Sequence, residues 1–240
     1  MSVKKPHFKR ILLKLSGEAL MGNKPYGVDP SVLKTVAEEI QGVHRLGVEI
    51  GIVVGGGNIF RGVAASAGGM DRIQADYLGM LATLFNAVAI KEALKNRKIK
   101  ARVFSALPVP PLADAYQPQS ARALMEKGEV LLLAAGTGNP FFTTDTAAAL
   151  RASELGTEVI LKATQVEGVY DNNPKLNPEA KIYKEISYSH FLQSHLQVMD
   201  ATAVSLAREN KIPIIVFNGL IKGNLKKIIL GSPIGTLIKG

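Results

Sequence analysis

Two lysines interrupt runs that otherwise read as buried strands: Lys14 inside Ile11-Leu12-Leu13-Lys14-Leu15, and Lys162 directly after Val159-Ile160-Leu161. A buried, unpaired ammonium is costly, so each needs an anion close by. A strand that ended at Leu13 would instead let Lys14 reach solvent. Arg61 offers a planar fork suited to phosphate oxygens. Asp76 and Asp145 are candidate partners for a ribose, a metal or these cations, and a plain helix cap is a competing reading for Asp145.

Three segments share one design, an apolar run followed by glycines and small polar residues and then a helical pattern: KLSGE (14–18), GGGNIFRG (55–62) and GTGNPFFTTD (136–145). Glycines let a ligand approach the main chain, and helix N-termini present unpaired N–H groups to anions. A tight turn would explain Gly55-Gly56-Gly57 alone; three loops of one kind point to phosphate. The chain has no G-x-x-x-x-G-K-[ST] loop, and GGGNIFRG lacks the G-x-G-x-x-G spacing of dinucleotide folds.

These residues need strands and helices to hold them. Apolar runs at Ile11–Leu15, Val48–Val54, Ala101–Phe104, Val130–Ala134, Glu158–Leu161 and Pro213–Phe217 are short and continuous, as buried parallel strands are. Helical patterns lie between them. One starts at Asp29-Pro30 and ends at Gly47, one runs from Thr143–Asp145 to Leu155 before Gly156, and one runs from Asp200 to about Asn210. Alternation of this kind predicts an α/β fold with a mostly parallel sheet covered on both faces. In such a sheet ligands bind beyond the carboxyl ends of the strands, so the three loops would converge.

The helix expected over about 71–96 is unusual, because from Tyr77 to Ile90 only Gly79, Thr83 and Asn86 break its apolar sequence. A surface helix would carry a wider polar face. We expect burial on two sides, one of them against another subunit. The loop-rich segment 168–180 is either a domain boundary or a ligand-covering loop.

Composition narrows the function classes. The 240 residues carry a net charge of +9 and no cysteine, which excludes disulfides and thiolate metal sites. His190 and His195 are near in sequence but lack a third ligand, so no protein-built metal site is expected. The basic residues fall in groups at 4–14, 91–102 and 222–227, with no aromatics interleaved at 91–102 as a base-stacking platform would require. Small phosphates, with no stable nucleic-acid partner, fit this better. No continuous apolar run reaches about 18 residues, and the basic start lacks a signal peptide's apolar segment, so a cytoplasmic protein with no membrane partner is expected.

The stretches LLKLSGEAL (12–20), GGGNIFRG (55–62), GMLAT (79–83), AGTGNPFFTTD (135–145), LKAT (161–164), GVY (168–170) and VMD (198–200) together resemble the bacterial UMP kinases (uridylate kinases) of the amino-acid-kinase superfamily. Related carbamate, acetylglutamate and aspartate kinases share the Lys-x-x-Gly and triple-glycine features but not GTGNPFFTTD. The resemblance implies a single three-layer αβα sandwich over 1–240, with a UMP-binding half at about 1–155 and an ATP-binding half at about 156–240. It implies ATP with Mg²⁺, phosphoryl transfer to UMP in pyrimidine nucleotide biosynthesis, a homohexamer built as a trimer of dimers, GTP activation and UTP inhibition.

Carried over by position, Lys14, Leu15, Ser16, Gly17, Gly57 and Arg61 would line the ATP phosphates, and Thr164, Tyr170 and Asn173 would hold the adenosine. Gly56, Asp76, Thr137, Gly138, Asn139, Pro140, Phe141, Phe142, Thr143 and Thr144 would hold UMP, with Asp76 on the ribose hydroxyls. Gly22, Asn23, Lys24, Pro25, Tyr26 and Gly27, with Arg102 from the basic run, match the region tied to GTP activation. One departure is Asn173, where the family commonly carries Asp. Lys14, Arg61, Asp145 and Lys162 are the candidate catalytic residues: the cations offset charge on the transferring group, and Asp145 orients the lysines or the metal. The phosphate acceptor is already anionic at pH 7, so no general base is needed, which suits loops without histidine. Two other readings remain: a kinase of the same superfamily with a carboxylate or carbamate acceptor, and a basic nucleic-acid-binding regulator.

Overall fold

The computed structural model describes residues 5–62, 68–174 and 176–240. Lys4 of the first basic group and Lys175 of the 168–180 loop lie outside them. The strands are β1 (Arg10–Leu15), β2 (Glu49–Val54), β3 (Ala101–Ser105), β4 (Asp114–Ala115), β5 (Val130–Ala134), β6 (Val159–Thr164), β7 (Glu185–Ser187), β8 (Ile214–Asn218) and β9 (Thr236–Lys239). They form one sheet in the order β4-β3-β5-β2-β1-β6-β8-β9-β7, in which the β8–β9 pair is antiparallel and the other pairs are parallel.

The helices are α1 (Pro30–His44), α2 (Arg72–Lys95), α3 (Pro118–Glu126), α4 (Thr144–Leu155), α5 (Tyr188–Gln193), α6 (Ala201–Glu209) and α7 (Asn224–Ile229). Side chains alternate across a strand, so each strand feeds two cores. Ile11, Leu13, Ile52 and Leu132 pack with Ile40 of α1, Ile90 of α2 and Ile228 of α7. On the other face Leu12, Val53 and Leu133 pack with Met125 of α3, Ala148 of α4, Phe191 of α5 and Val204 of α6. The architecture is therefore the expected αβα sandwich.

The helix start signals act as their chemistry predicts. Asp29 accepts a bond from Ser31 N–H ahead of Pro30, and Asp71 and Asp200 cap α2 and α6 in the same way. Thr143 caps α4, which ends at Gly156 with φ 65°. The strand expected over Glu158–Leu161 begins one residue later and continues to Thr164, so Lys162 lies inside it. Strands β4, β7 and β9 and helices α3, α5 and α7 have no counterpart in the sequence reading; the strands are two to four residues long, β4 and β7 forming the sheet's two edges and β9 lying next to β7.

By length and composition α2 would suit a membrane crossing. Instead it buries Ala75, Met80, Leu84, Ala87, Ile90 and Leu94, and packs on β2, β3, β5 and α1. Its opposite face leaves Leu78, Leu81 and Phe85 open, with Phe85 56% exposed.

Candidate active site

Lys14 and Lys162 are register partners on the neighbouring parallel strands β1 and β6, so both side chains leave the same face about 5 Å apart. Two like charges at that spacing, with side chains 10% and 7% exposed, require an anion between them. The first turn of α4 supplies it. Asp145 Oδ1 lies 2.7 Å from Lys14 Nζ, and Asp145 Oδ2 accepts from Lys162 Nζ. Burial alone would raise the Asp145 carboxyl, but Lys14 and Lys162 hold it below the ordinary carboxylate range. Burial, reinforced by Lys14, pushes Lys162 down to about 8 against the pull of Asp145 and Asp200.

Asp200 completes this centre, and sequence reasoning missed it. One of its oxygens accepts from Thr143 Oγ1 at 2.5 Å; the other accepts from Thr146 Oγ1 at 3.0 Å and from Ala203 N–H at 2.8 Å. It therefore ties the N-termini of α4 and α6 together beside the lysines. The sequence offered only an ordinary cap ahead of a helix.

Two clefts meet at Thr143 and Thr144. One, of about 190 Å³, is lined by Gly56, Gly57, Asp76, Thr83, Gly136, Thr137 and Phe142 together with those threonines. The other, of about 580 Å³, is lined by Lys14, Asp145, Asp200, His195 and Met199 along with the same pair. Six of the ten residues expected around the acceptor line the smaller cleft. The other four sit behind or beside it. Gly138, with φ 83°, packs over Ala106, and Asn139 is tied to the turn through Thr137. Pro140 is half-buried, and Phe141 donates its N–H to Asp76 at 2.7 Å.

Asp76 is also held by Arg72 Nε, at 3.0 and 2.9 Å from its two oxygens, and the Arg72 guanidinium lies 5.4 Å from the centre of the Phe141 ring. Arg72 was not singled out from sequence, although its place four residues before Asp76 on a helix is a readable signal.

The triple glycine divides between two physical causes. A Cβ on Gly55 would meet Gly17 N at 3.0 Å, and one on Gly56 would meet Gly79 O at 2.8 Å, so chain packs on chain at both. Gly17 is equally confined, with Gly55 O at 2.6 Å. A Cβ on Gly57 meets nothing closer than 3.7 Å and leaves room for a ligand. Beside it Arg61 is 60% exposed, bonded to the Gly57 carbonyl at 3.2 Å and paired with Glu18 at 2.7 Å. Glu18, like Asp200 and Arg72, was given no site role from sequence.

Leu15 ends β1 and Ser16 leads the 3₁₀ turn Gly17–Leu20. Thr164 ends β6, two residues beyond Lys162, with its hydroxyl donated to Val166 O at 2.9 Å. Tyr170 bridges to Ile182, and the Asn173 carbonyl accepts from Leu176 and Asn177 N–H. None of these three lines the lysine cleft. The segment Gly22–Gly27 follows the carboxyl end of β1 and joins the glycine loop through Gly27 N–H to Asn58 O. Arg102 stands near the start of β3, level with Leu12 across the sheet, where it pairs with Asp114 and Glu129 in a cleft lined by Lys91, Lys95, Lys98 and Lys100. The structure does not bring Arg102 and Gly22–Gly27 together. Among the described residues no three carboxylates or histidines gather as a metal cage.

Known proteins share this fold. Residues 9–218 match the family model described as the amino acid kinase family. A UMP kinase from Bacillus anthracis is 38% identical with a TM-score of 0.94, covering 97% of this chain and 96% of that one. A UMP kinase from Ureaplasma parvum is 36% identical with a TM-score of 0.91, over 97% and 99% of the two chains. A uridylate kinase from Archaeoglobus fulgidus is 27% identical with a TM-score of 0.73, over 95% and 99%. By this match and by its fold, the chain belongs to the amino acid kinase family.

Proposed function

We propose that the protein transfers the γ-phosphoryl group of ATP to UMP, giving UDP and ADP in pyrimidine nucleotide biosynthesis. The observation that carries this reading is the Lys14–Asp145–Lys162 cluster meeting a small cleft at the N-terminus of α4. Two polyanions must come into line there, and fixed cations offset the charge that builds on the moving group. Lys14 and Lys162 supply that charge, held in position by Asp145, while the amides at the start of α4 add partial positive charge. Arg61 swings from Glu18 to a phosphate, and Asp76 accepts the ribose hydroxyls. The acceptor oxygen is already ionised, so no side chain removes a proton.

Both oxygens of Asp145 are engaged by lysines, so the residues present suit a Mg²⁺ carried by nucleotide phosphates, with Asp200 and Asp145 alongside, better than a protein-built cage. When bound, the ion neutralises phosphate charge. Thr164, Tyr170 and Asn173 hold the adenosine, making 156–240 the donor half and 1–155 the acceptor half. The open stripe Leu78, Leu81 and Phe85 supports pairing of α2 with another copy, in line with a homohexamer of dimers. Regulation by GTP and UTP, with Arg102 or Gly22–Gly27 taking part, and a cytoplasmic location complete the proposal.

One coupled assay of ADP formation with Mg²⁺ and ATP tests the reaction, comparing UMP, CMP, dUMP and acetylglutamate. Turnover with UMP is expected. Turnover with acetylglutamate and not UMP would overturn the assignment.

A further inference from the structure

The turn after β5 is bent in a way that must be held from outside. Ala135 has φ 61°, Gly136 58° and Gly138 83°, so three residues within four adopt the left-handed region, one of them carrying a Cβ. Glycine adopts that region freely, but Ala135 pays for it and stays there only where neighbours over-determine its backbone. Two side chains from opposite helical layers do so. From α2, the buried Thr83 hydroxyl accepts the Ala135 N–H at 2.8 Å and donates to Met80 O at 2.7 Å. From α4, Arg151 Nη2 donates to Gly136 O at 3.2 Å.

Arg151 is 5% exposed, and its guanidinium stacks 4.0 Å from the centre of the Tyr116 ring while Nη1 meets Glu154 at 2.7 Å. A fully fixed guanidinium aimed at one carbonyl is a rigid strut. Arg151 stands six residues after Asp145 on the same helix, about 9 Å along its axis. One helix thus carries the anion that fixes the two lysines and the strut that fixes the acceptor turn. Gly136, Thr137 and Thr83 line the smaller cleft.

We propose that Arg151 and Thr83 are positioning residues that hold the 135–138 turn at a fixed distance from the lysine cluster, and so set acceptor recognition, Arg151 from outside the cleft and Thr83 through its bond to the turn. This rests on the reading of that cleft as the seat of UMP. The test measures kcat and KM for both substrates, and the dissociation constant for UMP alone by calorimetry, in Arg151→Lys, Thr83→Val and the double variant. Thr83→Val keeps the shape and removes the hydroxyl; Arg151→Lys keeps the charge and removes the fork.

Each single variant is expected to lower kcat/KM for UMP and raise its dissociation constant by about tenfold, on the scale of one hydrogen bond involving a charged or buried group. KM for ATP is expected to stay within about twofold. The double variant loses less than the product of the singles, because the turn is already released. Equal losses for UMP and ATP, or UMP kinetics within twofold of wild type in both variants, would overturn the inference. A wild-type protein that does not phosphorylate UMP would instead sink the functional reading beneath it.

Discussion

The lysine cluster and the Arg61–Glu18 pair are built from the same kinds of charged groups under opposite conditions. Lys14, Asp145 and Lys162 have side chains 7% to 13% exposed, whereas Arg61 and Glu18 are 60% and 44% exposed. In the buried cluster desolvation is severe, and the ions are tolerated because each finds its partner at contact distance. Between Arg61 and Glu18, water screens the pair and it contributes little. The contrast separates two tasks. A charge meant to stabilise a transition state is most effective when already fixed in place, while one meant to collect a substrate must be free to change partners.

Asp145→Asn strikes the fixed side and carries the largest expected effect. Two lysines would be left buried without their anion, so stability should fall by about 3 kcal/mol or more in urea unfolding, with kcat reduced at least a hundredfold. An Asn variant as stable as wild type would mean that the lysines are not held by charge. Arg61→Ala strikes the exchangeable side: kcat/KM for ATP should fall by about tenfold with unfolding unchanged, as for the loss of one charge-assisted bond.

A pH profile separates the regions further. Lys162 is pushed down to about 8, first by burial and then by Lys14. Its charge is lost as pH rises through that value, so kcat should decline there, and Lys162→Arg should move the decline upward because Arg keeps its proton. Stability responds with the opposite sign. Between about 8 and 10.5 the unfolded chain holds a proton at this position that the folded chain has lost, so the contribution of Lys162 to stability rises with pH. Glu18→Gln should have the smallest effect: it releases Arg61 and lowers KM for ATP by about twofold, consistent with an exposed pair.

Much of this was readable before any coordinates. The boundaries of α4 at Thr143 and Gly156 followed from a cap and a left-handed stop, and the buried lysine in β1 followed from one cation in an apolar run. The unread parts have physical causes. Strands β4, β7 and β9 are too short to show a period and form only because the sheet offers an edge. In the triple glycine, sequence cannot distinguish a backbone approached by a ligand from one approached by its own chain; Gly55 and Gly56 meet Gly17 and Gly79 closely, while at Gly57 the nearest group is the Glu18 side chain at 3.7 Å. Asp200 looked like a cap, and Arg151 was not singled out, because their partners, Thr143 and the Gly136 carbonyl, lie 57 and 15 residues away.

The most direct test is the turnover of Lys14→Ala at saturating UMP and Mg²⁺–ATP, with folding checked by circular dichroism. A folded variant with kcat reduced by about a hundredfold or more is the predicted result. Turnover within a few-fold of wild type would show that the buried lysine cluster does not stabilise the transferring group.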